Sequence, residues 1–361
     1  TFDCVERAGG LSVGQRPRKR IDRGSIPLPP VRPLLAALEP ASLPERPGDS
    51  KVAARRTFDA AAATGGVEAS GARIDVRRTA KLFIGGAFPR SESGRTDALQ
   101  LHGGGSANIA RASRKDLREA VRVARAAAEP WAGRSATLRG QILYRVAELM
   151  EGRAEQFAAD LIACGRGRRA AAQEVADAID RIVWFAGWTD KIASVLGGTN
   201  PVASSHFVFT IPEPTGVVAI LAPERSPLLG LVTRLGGVLA GGNVAIVVAS
   251  ESAPLPAVTL AETLAVSDVP AGVVSILTGR REELISHLVR HADIDGFDLW
   301  GCPDALLAEA ERGAAEHVAR VARRPRGVDD DATAHDGARG ERIDGMTAFL
   351  EMKTVWHPVG S

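Results

Sequence analysis

Cysteine is scarce in this chain. Cys4, Cys164 and Cys302 are the three among 361 residues, too few and too scattered for a disulfide framework or a cysteine-rich metal cluster. The seven histidines show neither H-x-x-H nor H-E-x-x-H spacing, so no metal site is expected. An excess of one charge is also missing: 45 Lys and Arg face 43 Asp and Glu, for a formal net charge of +2. That balance gives no electrostatic case for nucleic acid or a membrane surface as partner. No uninterrupted apolar run of about 18 residues occurs, so no membrane-spanning helix is expected. At 45% apolar residues the chain can bury a substantial core, and a cytoplasmic location is expected.

The opening 75 residues stand apart. They hold eight of the 21 prolines and two aromatics, Phe2 and Phe58. The basic cluster Arg16-Pro-Arg-Lys-Arg20 would suit a nucleic-acid or partner-binding tail. The composition favours a disordered, Pro/Arg/Ala-rich extension instead, and it lacks the apolar run of a secretion signal. Segment 1–75 is therefore set apart from a folded region 76–322, a polar linker 323–345 and a C-terminal strand 346–361.

The most informative stretch is 212–251, PEPTGVVAILAPERSPLLGLVTRLGGVLAGGNVAIVVASE. An apolar run from Val217 to Leu221 ends at Ala222-Pro223. Leu228, Leu231, Leu235, Val238 and Leu239 then recur at helical spacing, and a Gly-Gly-Asn turn leads into a second apolar run, Val244 to Val248. This is strand, crossover helix, parallel strand, the unit of a doubly wound α/β sheet. The stretch resembles the aldehyde dehydrogenase superfamily, whose pattern runs G-V-V-x-x-I-x-P-W-N-x-P, then A-x-x-x-G-N, then K-P-x-E. Gly216, Val217, Val218, Pro223, Pro227, Leu228, Gly242, Asn243 and Glu251 keep the frame. Glu224-Arg225 stands where the family has Trp-Asn, and Val248-Ala249 where it has Lys-Pro.

The resemblance implies a role for each position. The family Asn donates to the oxyanion formed when a thiolate attacks the aldehyde; Arg225 cannot take a short amide's place without moving the substrate. The family Lys meets the adenosine ribose, and Val248 has no donor. Further along, 269–279 (VPAGVVSILTG) resembles L-P-x-G-V-x-N-x-V-x-G, with Arg281 where a second Gly follows. His291-Ala-Asp-Ile-Asp295 matches H-x-x-I/V-D, and 297–302 (FDLWGC) sits where a strand ends F-T-G-S. That loop opens a helix whose N-terminus faces the cofactor phosphates. Gly301 survives there, Cys302 replaces Ser, and Asp304 adds a negative charge where pyrophosphate would lie. A dinucleotide, NAD or NADP, is expected between the strand ends near Leu221, Pro223, Glu251, Gly279, Gly301 and Cys302, with binding weak or lost.

Earlier segments fit the same frame. Lys81 to Arg95 resembles the family's opening hairpin. Helices are expected over 116–131, 137–161 and 171–192 from their apolar spacing, and 207–211 alternates as a strand. After residue 302 a helix is expected over 305–321. No E-L-G-G follows it, whose Glu would be a general base, and no Gly-Gln-x-Cys, which would carry the nucleophile. The chain closes on 346–360, similar to the family's final F-x-x-x-K-x-V-W/Y. The expectation is a Rossmann-like parallel sheet with flanking helices and a small β arm, without the catalytic domain.

Catalytic residues are expected to be absent. Cys302, at a helix start that would lower its pKa, is the one weak candidate; no neighbouring His or Glu motif identifies its base, and a small buried residue in a Ser position is the reading taken. The function expected is a non-catalytic partner subunit of a full-length aldehyde dehydrogenase. The alternative is an active NAD(P)-dependent oxidoreductase acting on aldehydes. In the family the opening hairpin and C-terminal strand form an arm across a subunit interface, so Leu82 to Arg95 and Phe349 to Val359 are expected to associate with a complete homologue or with a second copy.

Overall fold

The computed structural model describes residues 78–324 and 343–359. The expected extension 1–75 and most of the linker 323–345 lie outside the described residues.

Three sheets carry the fold. β1 (Thr79–Ala80), β2 (Thr96–Gln100) and β3 (Ser106–Ala110) form a small sheet in the order β1-β3-β2. Four helices follow: α1 (Arg114–Ala132), α2 (Ala136–Glu151), α3 (Ala154–Ala163) and α4 (Arg168–Trp188), with a short α5 (Ile192–Leu196). Ser113 starts α1 with a capping box, its side chain accepting from Asp116 N–H while the Asp116 carboxylate takes the Ser113 N–H. β4 (Gly198–Asn200) and β5 (His206–Pro214) lead to the central unit: β6 (Val217–Leu221), α6 (Leu229–Ala240), β7 (Val244–Val248), α7 (Leu255–Ala265), β8 (Val274–Leu277), α8 (Arg281–Leu288), β9 (Gly296–Asp298), α9 (Asp304–Ala315) and β10 (Arg320–Ala322). A single turn, α10 (Asp344–Thr347), precedes β11 (Leu350–Pro358).

The five central strands are all parallel, in the order β10-β9-β6-β7-β8. Every residue of β6 and β7 is buried, as sheets covered on both faces require. β6 and β7 pair from Val217 opposite Val244 to Leu221 opposite Val248, confirming the strand–helix–strand unit. The third sheet is antiparallel, β11-β5-β4, with β11 along β5 from Leu350 opposite Pro214 to Pro358 opposite His206.

Local boundaries differ from the sequence reading in three places. The helix expected over 137–161 is two, because α2 stops at Gly152, whose N–H returns to Glu148 and Met150. The helix expected over 305–321 ends at Ala315; Val318 takes a left-handed φ of 59° and turns the chain into edge strand β10. A parallel strand thus follows α9, at the place where the resemblance implies E-L-G-G, and it reads Arg-Val-Ala. The stretch Lys81 to Arg95 forms no pair of strands but two tight turns, Ile84 to Ala87 over Gly85 and Gly86 at positive φ, and Ser91 to Gly94. Phe83 bridges Ile276 of β8, and β11 pairs with β5 rather than with this segment.

Candidate functional site at the strand ends

Loops 222–228, 249–254, 278–280 and 299–303 leave the C-terminal ends of β6, β7, β8 and β9. The chain runs outward from β6 through β7 to β8, then crosses back to the other side of β6 for β9. The order therefore reverses between β6 and β9, and open α/β sheets bind ligands outside the strand ends at such a point.

Arg281 opens α8 and reaches into this crevice, 2% exposed. Its Nη1 donates to the Gly301 carbonyl, and Nη2 donates to those of Ala222 and Ala249. Nη2 also lies 2.7 Å from Glu224 Oε1. The Glu224 carboxylate accepts from the hydroxyls of Ser250 and Ser252, both at 2.6 Å, and from the N–H groups of Glu251 and Ser252 at 3.0 and 3.1 Å. Partial burial pushes this carboxyl up; Arg281 and then the hydroxyl and N–H donors outweigh it, leaving the group below its ordinary value. A carboxylate held ionised in this way is a poor base for abstracting a proton.

The expected site residues gather around the pair. The Leu221 carbonyl accepts from Gly301 N–H at 3.1 Å, and both residues are buried. Gly301 has no alternative: a Cβ there would stand 2.2 Å from the Ala222 carbonyl oxygen. Pro223 is buried against Gly230. Glu251 is exposed, and its carboxylate accepts the backbone N–H of Arg281. Gly279 and Glu251 line a cavity of about 340 Å³ with Asp97, Leu99, Ser250 and Arg280. A cavity of about 700 Å³ lies elsewhere, between Arg78, Lys81, Arg90, Arg153 and the α7 residues Val258 and Glu262; strand-end geometry, not volume, selects the crevice. Arg225 is exposed and Val248 fully buried in β7.

Cys302 is 4% exposed, and its Sγ donates to the Pro303 carbonyl at 3.6 Å. Burial pushes the thiol up to about 11, with Arg281 opposing. The lowering expected from a helix start does not win, because the thiol is desolvated. Beside it, burial also holds the Asp298 carboxyl up, against Arg234 at 3.8 Å. Asp304 is 87% exposed and pairs with Arg324 at 3.2 Å.

Two features escaped the sequence reading. One is the pairing of Glu224 with Arg281; its signal was two opposite charges at two departures from one family frame. The other is Glu174, a fully buried acid on the apolar face of α4. Its carboxylate accepts from Leu228 and Leu229 N–H at 3.1 and 3.3 Å at the start of α6 and pairs with Arg166 at 2.8 Å. The positive end of α6 is thus satisfied by the protein's own acid. A lone Glu amid Ala171, Val175, Ala178 and Ile182 could have been found as out of place.

Among the described residues no group of three His, Cys, Asp or Glu could hold a metal ion, and no helix is long and apolar enough to cross a membrane.

The aldehyde dehydrogenase family pattern matches residues 100–323. Aldehyde dehydrogenase, cytosolic 1, of Elephantulus edwardii is 30% identical over 256 residues, 69% of this chain and 50% of the relative. 2-Hydroxymuconic semialdehyde dehydrogenase of Pseudomonas sp. (strain CF600) is 30% identical over 243 residues, 64% of this chain and 50% of the relative. An NAD+ complex of an aldehyde dehydrogenase from Bacillus cereus superposes with a TM-score of 0.63 at 28% identity, over 67% of this chain and 50% of that one. The chain spans about half the length of these relatives. The chain belongs to the aldehyde dehydrogenase family.

Proposed function

We propose that this chain is a non-catalytic, cytosolic partner subunit for a complete aldehyde dehydrogenase, with dinucleotide binding weak or lost. The observation that carries this reading is Cys302. It is the one described cysteine at the strand ends, and burial holds its thiol at about 11. At neutral pH such a thiol is ionised far less often than an ordinary cysteine. No oxyanion amide stands at position 225, and the strand where the resemblance places a general-base Glu reads Arg-Val-Ala. The residues present do not fit a dinucleotide either: Val248 offers no ribose donor, and the start of α9, where a pyrophosphate would lie, carries the Asp304 carboxylate paired with Arg324.

The docking element of this reading is the β11-β5-β4 sheet. Phe207, Phe209, Ile211 and Val355 share one of its faces by strand alternation and register, and Phe207 and Ile211 are exposed. An apolar face beside an open edge strand recruits another chain. Purified protein should form no NAD(P)H from aldehyde above background, alone or at added NAD+ or NADP+. Turnover abolished by Cys302→Ser would instead establish an active oxidoreductase with Cys302 as nucleophile, and turnover surviving it would establish another nucleophile; either result overturns the reading.

A further inference from the structure

The crevice of a doubly wound sheet takes ligands because the loops part where the strand order reverses. Here the switch point itself is occupied from within, while the cavity beside Glu251 and Gly279 stays open. The Arg281 guanidinium spans the switch point, donating to the carbonyl of Gly301 beyond β9 and to those of Ala222 and Ala249 beyond β6 and β7. Its charge is matched by Glu224, itself anchored by Ser250, Ser252 and two backbone N–H groups. The side chain is 2% exposed. Moving a guanidinium so placed is costly, because it strands both a part-buried carboxylate and three strand-end carbonyls.

We infer that Arg281 and Glu224 are a built-in closure of the dinucleotide crevice: they exclude a dinucleotide by occupying the strand ends themselves. The inference rests on the non-catalytic reading above and goes further, since it assigns the exclusion to occupancy rather than to missing contacts. The guanidinium ties three of the four loops to one another, and the Arg281 N–H to Glu251 ties in the fourth.

The test compares wild type with Arg281→Gly and Arg281→Met, titrating NAD+ and NADP+ by calorimetry on chains whose fold is checked by circular dichroism. Wild type should show no binding at about 5 mM dinucleotide, whereas Arg281→Gly should bind at least about tenfold more tightly. Arg281→Met keeps the space filled without the charge and should stay closed. A Gly variant that folds yet binds no better than wild type, or a Met variant that binds as well as the Gly variant, overturns occupancy as the cause. Hydrogen exchange on the wild type covers the case of an unfolded Gly variant. Exchange in loops 222–228, 249–254 and 299–303 should be unchanged by dinucleotide, and protection there would overturn the closure. These outcomes leave the non-catalytic reading standing; only aldehyde turnover removes that.

Discussion

Asn243 donates through Nδ2 to the carbonyl of Phe349 at 2.9 Å, and both residues are buried. The residue that leads into β7 thereby holds the segment leading into β11. Its Oδ1 accepts from Gly216 N–H at 2.8 Å, so one amide joins the starts of β6, β7 and β11. Asn243→Ala would leave the Gly216 N–H unpaired in a part-buried position, at a cost of about 1–3 kcal/mol. Urea denaturation should show a lower midpoint with an unchanged slope. An unaltered midpoint would mean that water or a neighbour replaces the amide.

The pairing of Glu224 with Arg281 gives a pH dependence with a definite sign. The Glu224 carboxyl lies below its ordinary 4.5 in the folded chain. Its contribution is therefore present above the unfolded value and lost as pH falls through the folded one. Glu224→Gln should melt below wild type at pH 7, and the two melting temperatures should converge on acidification below about 4.5. A gap that persists or widens at acid pH would show that the carboxylate is not the stabilising form. Melting curves at a series of pH values decide this.

The central architecture was legible from the sequence because apolar runs of 217–221 and 244–248 can be little other than buried parallel strands. Boundaries were less legible where a backbone conformation decided them. Nothing in the residue type of Val318 announces a left-handed turn, which β-branched side chains resist, so α9 was read through to 321. Gly152 ends α2 without a proline to mark it. The small β2–β3 hairpin was missed although Gly103, Gly104 and Gly105, all at positive φ, mark its turn. At the site, the positions were legible and the contacts were not. Glu224 and Arg281 lie 57 positions apart, and only the fold brings the two departures together.

Val318 offers a test of that backbone. It is 91% exposed, so its side chain contributes almost no packing, while its φ of 59° is strained for a β-branched residue. Val318→Gly should therefore raise stability, by about 1 kcal/mol. A higher melting temperature checks it. A fall would show that the turn between α9 and β10 takes another conformation in solution.

The C-terminal strand can be tested for association only if it is cut at the right place. A cut after Gly345 removes not only the exposed strand but also Met346, Phe349 and Leu350, all at most 3% exposed. Losing the Phe349 side chain alone costs about 3–5 kcal/mol, so that chain should be destabilised whatever it binds. A cut after Leu350 removes the exposed part of β11, with its ion pairs Arg320–Glu351 and Lys353–Glu213, and keeps the buried anchors. Such exposed pairs contribute roughly 0–1 kcal/mol each, so the shortened chain should remain folded. It should, however, lose co-purification with a complete aldehyde dehydrogenase co-expressed beside it. Because the cut bares β5, a second variant keeps β11 and changes only the exposed face: Phe207→Glu with Ile211→Glu, both on the solvent side of β5. Loss of co-purification in both variants, with circular dichroism unchanged, is the expected outcome. Full-stoichiometry association by the face variant would rule out this sheet as the docking element, and association of the wild type only with itself would replace the homologue by a second copy of this chain.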